Sequence, residues 1–292
     1  MPDQRNIESG SAGVRRPRGS SRPEAAGGQT ARVANKPSRR PDVGPHSVTH
    51  EKPQKTAMLV AQRIVREIFA DSLSSGDQLA PEHKMLETYG IGRGTLKEAL
   101  RYLELQGVIT LRPGPGGGPV VSQPDSRHLA GTMALLLQFA DTSFRSVIEA
   151  RQIQEPAAAR LAAQRISASG LEELHDSVRL MGEHVGDRER FLIDNSRFHD
   201  LVAWGSGNQM IGYLINSLHW ITDGTVLGTD YPIQFRQIVL RAHEKIAEAI
   251  AAADAEAAQA AMQEHMDNAL VYFERYFPDL LDRKLSWEHY AQ

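Results

Sequence analysis

The sequence predicts a mainly α protein with two folded parts. The first is three helices followed by a two-stranded hairpin; the second is all helix. Three observations carry this. Apolar residues recur at helical spacing from Thr56 onward. Two short strand-like runs, "GVITLR" and "PVVSQ", flank the turn-forming "PGPGGG". Between residues 126 and 280 no stretch reads convincingly as a strand, while six stretches read as helices. A chain of 292 residues with 41% hydrophobic content is long enough for two domains and can fill their cores.

Residues 1–54 are rich in Gly, Ser, Pro and Arg and almost free of apolar residues after Val14. Such a segment cannot bury enough surface to offset the entropy of ordering it, so a disordered basic arm is expected. It is either a solvated tail or a phosphate-seeking arm, through pairs such as Arg15-Arg16 and Arg39-Arg40.

Residues 55–124 are expected to form the first domain. "TAMLVAQRIVREIFA" puts Leu59, Ile64 and Ile68 on one helical face, and "LSSGDQLA" reads as a turn. "PEHKMLETYG" is a short helix. Pro81 suits its first position, Glu82 the positive end of its dipole, and Gly90 its left-handed end. A third helix, in "GIGRGTLKEAL", runs to about Gln106, and the hairpin follows. Three helices and then a glycine-linked hairpin make a winged helix-turn-helix, whose third helix is the one expected in a DNA major groove.

The third helix opens on Gly90, Gly92 and Gly94, although glycine costs a helix about 1 kcal/mol relative to alanine. The first N–H groups of a helix have no internal partner and lie at the positive end of its dipole. A phosphate can accept from them, and Gly92 and Gly94 remove side chains that would hold it away. Arg93 and Lys97 supply charge there, and Thr95 a hydroxyl. The alternative is an ordinary loop–helix junction with surface charges.

Composition narrows the function. There is no cysteine, which excludes disulfides and thiolate metal sites and fits a reducing cytoplasm. No apolar run reaches the roughly 18 residues of a membrane span, and the N-terminus does not read as a secretory signal. A cytoplasmic protein is expected. Aromatic residues make up only 6%, which argues against a stacking surface for single strands. The net charge of −3 hides a gradient. Residues 1–55 carry 11 Lys/Arg against 5 Asp/Glu, residues 56–125 carry 7 against 8, and the rest 15 against 23. With so little basic excess in the first domain, DNA binding there depends on where the charges lie. Glu87, Glu98 and Glu104 must then face away from DNA.

Here the chain resembles the GntR family of bacterial transcription regulators. The resemblance rests on "LAPEHKML", "GIGRGTLKEALRYLELQG" and "RPGPGGGPVV", about 70 residues in all. It implies DNA contacts from His83, Gly92, Arg93, Gly94, Thr95, Lys97 and the wing glycines Gly116 and Gly117. There are departures. His83 stands where the family pattern has arginine, Gly92 where it has a capping serine or threonine, and Lys97 where it has arginine. Lysine lacks the bidentate fork that arginine offers guanine or phosphate. The mode of binding therefore carries over better than the operator sequence does.

Residues 126–280 are expected to form a compact bundle of six or seven helices, with 281–292 as a tail. Three histidines sit on apolar faces of different helices. His199 is in line with Leu192, Asn195 and Val202; His243 with Val239, Ile246 and Ile250; His265 with Met262 and Ala269. They are either core histidines or the ligands of zinc, nickel or manganese, since inward imidazoles from facing helices make such a site.

The bundle also resembles the FadR C-terminal (FCD) type of sensing domain, in "RQIQE", "NSRFH", "HEKIAEAI" and "MQEH". That resemblance implies the FadR subfamily and a metal on Asn195, His199, His243 and His265, with an asparagine where the pattern has aspartate. It also implies a carboxylate effector, for which Arg151 is the best candidate. Its fork matches a carboxylate, and the alternative is an i, i+4 ion pair with Glu155.

Three functions compete. The first is a ligand-responsive transcriptional regulator, expected as a repressor, that binds double-stranded DNA as a homodimer on an inverted repeat. Two-fold symmetry would double the few base pairs one helix reads. The second is a metal-dependent hydrolase tethered to a DNA-binding module. The histidines permit it, but no H-E-x-x-H or similar base-bearing motif is present. The third is a non-specific architectural DNA protein, which leaves the bundle unexplained. The first is favoured.

Overall fold

A computed structural model describes residues 56–114, 116–222 and 231–289. The expected basic arm, 1–54, lies outside the described residues. The first domain runs α1 (Thr56–Ala70), α2 (Glu82–Tyr89), α3 (Arg93–Leu105), β1 (Ile109–Arg112) and β2 (Gly118–Val121). The strands pair antiparallel, Ile109 with Val121 and Arg112 with Gly118. This is a winged helix-turn-helix.

Its core is set by helical periodicity. α1 buries Ala57, Val60, Ala61, Ile64 and Ile68, and α3 buries Leu96, Ala99, Leu100 and Leu103. Leu59, expected on the inner face, is 48% exposed. It lies five residues before Ile64, about 140° around the axis at 3.6 residues per turn. α2 stops at Gly90, whose φ of 63° is left-handed and whose N–H bonds the Leu86 carbonyl. Pro81 caps α2 from just outside instead of opening its first turn.

The bundle runs α4 (Ser126–Phe139), α5 (Phe144–Arg165), α6 (Ala168–Glu183), α7 (Arg188–Gly205), α8 (Gln209–Thr222), α9 (Ile233–Ala251), α10 (Ala255–Tyr276) and the short α11 (Pro278–Asp282). Asp125, Ser167, Asp187 and Asp254 each accept a backbone N–H at a helix start, which satisfies donors the helix leaves open. α4 is not among the six stretches legible in the sequence. Its leucines are not confined to one stripe: Leu136 and Phe139 are exposed while Ala130 and Ala134 are buried.

Two larger cores and a smaller one of Ala158, Ala203 and Ile215 hold the bundle among the described residues. Leu174, Met181, Phe198, Val202, Ile246 and Met262 join α6, α7, α9 and α10. Phe144, Ile148, Ile221, Phe273 and Leu281 join α5, α8, α10 and α11. Each fully buried large side chain contributes about 2–3 kcal/mol of transfer free energy. The residues expected as a tail take part, because Leu281 and Leu285 are apolar and fill the second core. The first domain meets the bundle at α4: a Cβ on Gly107, just past α3, would stand 2.3 Å from the His128 ring. α4 in turn is tied to α8, where the Ser217 hydroxyl donates to the Ser126 carbonyl at 3.0 Å.

Candidate functional site

The start of α3 is open. Gly92 is its N-cap in extended conformation, with no side chain to cap the helix. A Cβ on Gly92 or Gly94 would meet nothing within 4 Å. Nothing inside the protein therefore requires glycine at either position. Arg93 and Lys97 are exposed, Thr95 is half-buried one turn in, and His83 is exposed on the neighbouring α2. Glu104 lies at the other end of α3, where it pairs with Arg101 and accepts from the Leu111 N–H. The hairpin's glycines are shaped by its own backbone: a Cβ on Gly117 would stand 2.2 Å from the Arg112 carbonyl oxygen. A side chain the sequence did not single out, Gln78, donates its amide to the Gly116 and Gly117 carbonyls at 3.1 and 3.2 Å.

The second site is buried. α7 carries the buried His199 and the half-buried Asn195, which lines the same cavity, α9 carries His243, and α10 carries His265. The Nε2 atoms of His243 and His265 are 3.2 Å apart, and those of His265 and His199 are 3.4 Å apart. One ligand atom from each of the three lies within 4.8 Å of the others. A metal 2.0–2.1 Å from two imidazole nitrogens at a tetrahedral angle sets those nitrogens about 3.3–3.4 Å apart. The spacing fits.

The protons can be assigned from the partners. Burial alone would raise the Glu155 pKa, but Arg151 and His199 outweigh it and hold this buried carboxylate ionised. The carboxylate accepts, so His199 Nδ1 carries the proton and donates to Glu155 Oε2. His199 Nε2 is left with its lone pair facing His265. Carboxylate, histidine and metal in series is the usual arrangement behind a ligating imidazole. Burial, followed by neighbouring imidazoles, pushes His265 down to about 3 and His243 well below its ordinary range. A proton on His265 Nε2 cannot serve both of its contacts at once, whereas a cation at the centre of the three Nε2 atoms can be met by all three. His243 is less complete. Its Nδ1 is buried and has no hydrogen-bond partner among the described residues, and its ring stacks on Phe198 at 3.9 Å between centroids.

Arg151 forms the i, i+4 ion pair that is one of its two sequence alternatives. Its Nε donates to Glu155 Oε1 at 2.6 Å. It also lines a cavity of about 70 Å³ beside Asn195, His199 and His265. Nη1 donates to Thr222 Oγ1 at 2.9 Å, and Nη2 lies 2.6 Å from His219 Nε2. That uses three of arginine's five N–H donors and leaves two. Asn195 makes no hydrogen bond among the described residues. Asp194 faces elsewhere, 2.7 Å from His184 Nδ1.

His219 and Thr222 complete the pocket, and Glu155 stands behind His199 and Arg151. His219 and Thr222 lie on "LINSLHWIT", an apolar run whose spacing ranks neither above a core residue. Arginine can only donate, so His219 Nε2 accepts, and its Nδ1–H donates to Asp200 at 3.2 Å. Burial and the Arg151 charge bring the His219 pKa to about 4. No helix among the described residues is long and apolar enough to cross a membrane.

Comparison with known proteins identifies the two domains. Residues 56–117 match the model of bacterial regulatory proteins of the gntR family, and residues 146–268 match the FCD domain. The chain is 25% identical over 212 residues to the HTH-type transcriptional regulator LutR of Bacillus subtilis, covering 71% of this chain and 96% of that protein. It is 22% identical to the HTH-type transcriptional repressor NanR of an Enterobacter species, over 74% of this chain and 84% of that one. The solved structure of a Streptococcus agalactiae GntR has a TM-score of 0.56 at 24% identity, covering 73% of this chain and 98% of its own.

Proposed function

Because the chain belongs to the GntR family of bacterial transcription regulators and carries an FCD domain, we propose a specific division of labour between its two sites. The protein is a ligand-responsive, DNA-binding regulator of transcription and not an enzyme; the relatives matched are regulators, and the hydrolase alternative falls with them. Arg93, Lys97, Thr95 and the open backbone of Gly92 and Gly94 bind operator phosphates and bases. His83 and the wing glycines Gly116 and Gly117 flank them. A homodimer reads an inverted repeat, as a repressor.

In the bundle, His199, His243 and His265 hold a divalent ion, zinc, nickel or manganese, with the Asn195 amide oxygen as a neutral fourth donor. The ion supplies positive charge that three imidazoles and an amide leave uncompensated. A small carboxylate supplies the missing negative charge and takes the two free donors of Arg151. The Nε2 spacing of 3.2 and 3.4 Å beside that arginine is the observation that carries this reading. The route to DNA runs through α8, which bears His219 and Thr222, to α4 by Ser217, and to the end of α3 at Gly107. An effector that binds one arrangement of this route better than another shifts DNA affinity by linkage.

Footprinting on selected genomic DNA, with and without metal and candidate acids, tests this. Protection of two symmetric half-sites, weakened by an acid only in the Arg151-intact protein, is expected. A single half-site bound by a monomer, or release by acids in Arg151→Ala, contradicts it.

A further inference from the structure

A larger second cavity adjoins the buried pocket. It measures about 310 Å³ and is lined by Leu192, Ile193, Ser196, Arg197, Asp200, His219 and Trp220. Leu192, Ser196 and His219 also line the inner cavity of about 70 Å³, so the wall between the two is one side chain thick. Helical geometry places it there. On α7, Leu192, Asn195 and His199 form the inward stripe, and Ile193, Arg197 and Asp200 form the adjacent one.

His219 is the partition. It is held on the inner side by Arg151 Nη2 and on the outer side by Asp200. The inner bond is one that an acid on Arg151 would compete for. Beyond the partition, Arg197 is exposed and makes no ion pair among the described residues, although it lies on an apolar wall formed by Ile193 and Trp220. Ile193 is 64% exposed and Trp220 is 44% exposed. Arg197 and Trp220 line the same groove, and the Arg127 guanidinium lies 5.8 Å from the Trp220 ring; such a groove suits a ligand with an apolar middle and an anionic end.

We infer that the outer groove is the second chamber of the effector site, and that the effector is an extended dianionic acid. One carboxylate lies inside on Arg151. Its chain passes His219, and its second anionic group lies on Arg197. This rests on the pocket reading given under Proposed function.

The test is calorimetric titration of the full chain, as purified, with unbranched dicarboxylates from malonate to suberate and with gluconate. Affinity should rise at least tenfold from malonate to the longer members. Arg197→Ala should remove that rise and leave malonate binding unchanged. Arg197 is exposed, so its variant should keep the thermal midpoint of the parent. Affinity independent of chain length overturns the second chamber, as does a rise that survives Arg197→Ala. Gluconate matching the longer dicarboxylates overturns the anionic far end. Short acids whose binding depends on Arg151 but not on length leave the inner pocket standing and remove only the outer one. No binding by any acid, or binding untouched by Arg151→Ala, removes both.

Discussion

The start of α3 and the pocket between α5, α7, α9 and α10 present their charged and polar groups in opposite ways. At α3, Arg93 and Lys97 are solvated, and Gly92 and Gly94 face open space. In the pocket, Glu155, His199, His243 and His265 are all buried, at 2%, 2%, 0% and 7% exposure. Desolvation there is complete at folding, and pairing must offset it then. A polyanion can be met by groups that cost the fold nothing. A small ion in the proposed pocket would be met by groups that make the fold depend on them.

The largest expected break in that comparison is between two arginines. Arg151→Ala leaves the Glu155 carboxylate buried without its nearest cation, and should cost about 3 kcal/mol in urea unfolding. Arg93→Ala should change stability by less than about 0.5 kcal/mol while weakening DNA binding. Equal stability losses would erase the contrast.

Acid comes next. His219 and His265 are held near 4 and 3 in the fold, against 6.5 ordinarily. Below 6.5 the unfolded chain therefore binds more protons than the folded one. Stability is full above that pH and is lost as pH falls toward 4. Glu155, held low, acts in the same direction: its contribution is present above 4.5 and is lost as pH falls further. Metal-free protein should lose about 2 kcal/mol per histidine between pH 7 and 5. A flat stability profile over that range would show that the imidazoles are not held neutral by the fold.

Much of this was legible in sequence, for reasons that differ by site. The α3 start could be read because its signal is local: glycine, arginine and lysine within one turn and a half, followed by a hairpin. His199, His243 and His265 could be read because each sits on an apolar stripe. That Glu155 fixes the tautomer of His199 could not, since the two are 44 residues apart and only packing brings them together. His219 was hidden for the same reason: its partners, Arg151 and Asp200, lie on two other helices. Gln78 reaches the wing across 38 residues. α4 was missed because an apolar run without a single stripe gives no period to detect.

Two smaller effects sharpen the comparison. Asn195→Asp adds a negative charge beside the ion, and should tighten metal about tenfold while weakening a carboxylate by a similar factor. Calorimetry that finds both affinities raised would mean Asn195 does not face the ion. Gly94→Ala fills open space in the first turn of α3. It should stabilise the fold by up to about 1 kcal/mol and still weaken DNA binding. Unchanged DNA affinity would mean that no phosphate approaches there.

The most direct measurement is the metal content of purified protein after dialysis, in wild type, His243→Ala and Lys97→Ala. One divalent ion per chain is predicted for wild type and Lys97→Ala, and none for His243→Ala. No ion in wild type after incubation with zinc, nickel or manganese, or an equal content in all three proteins, would contradict the account.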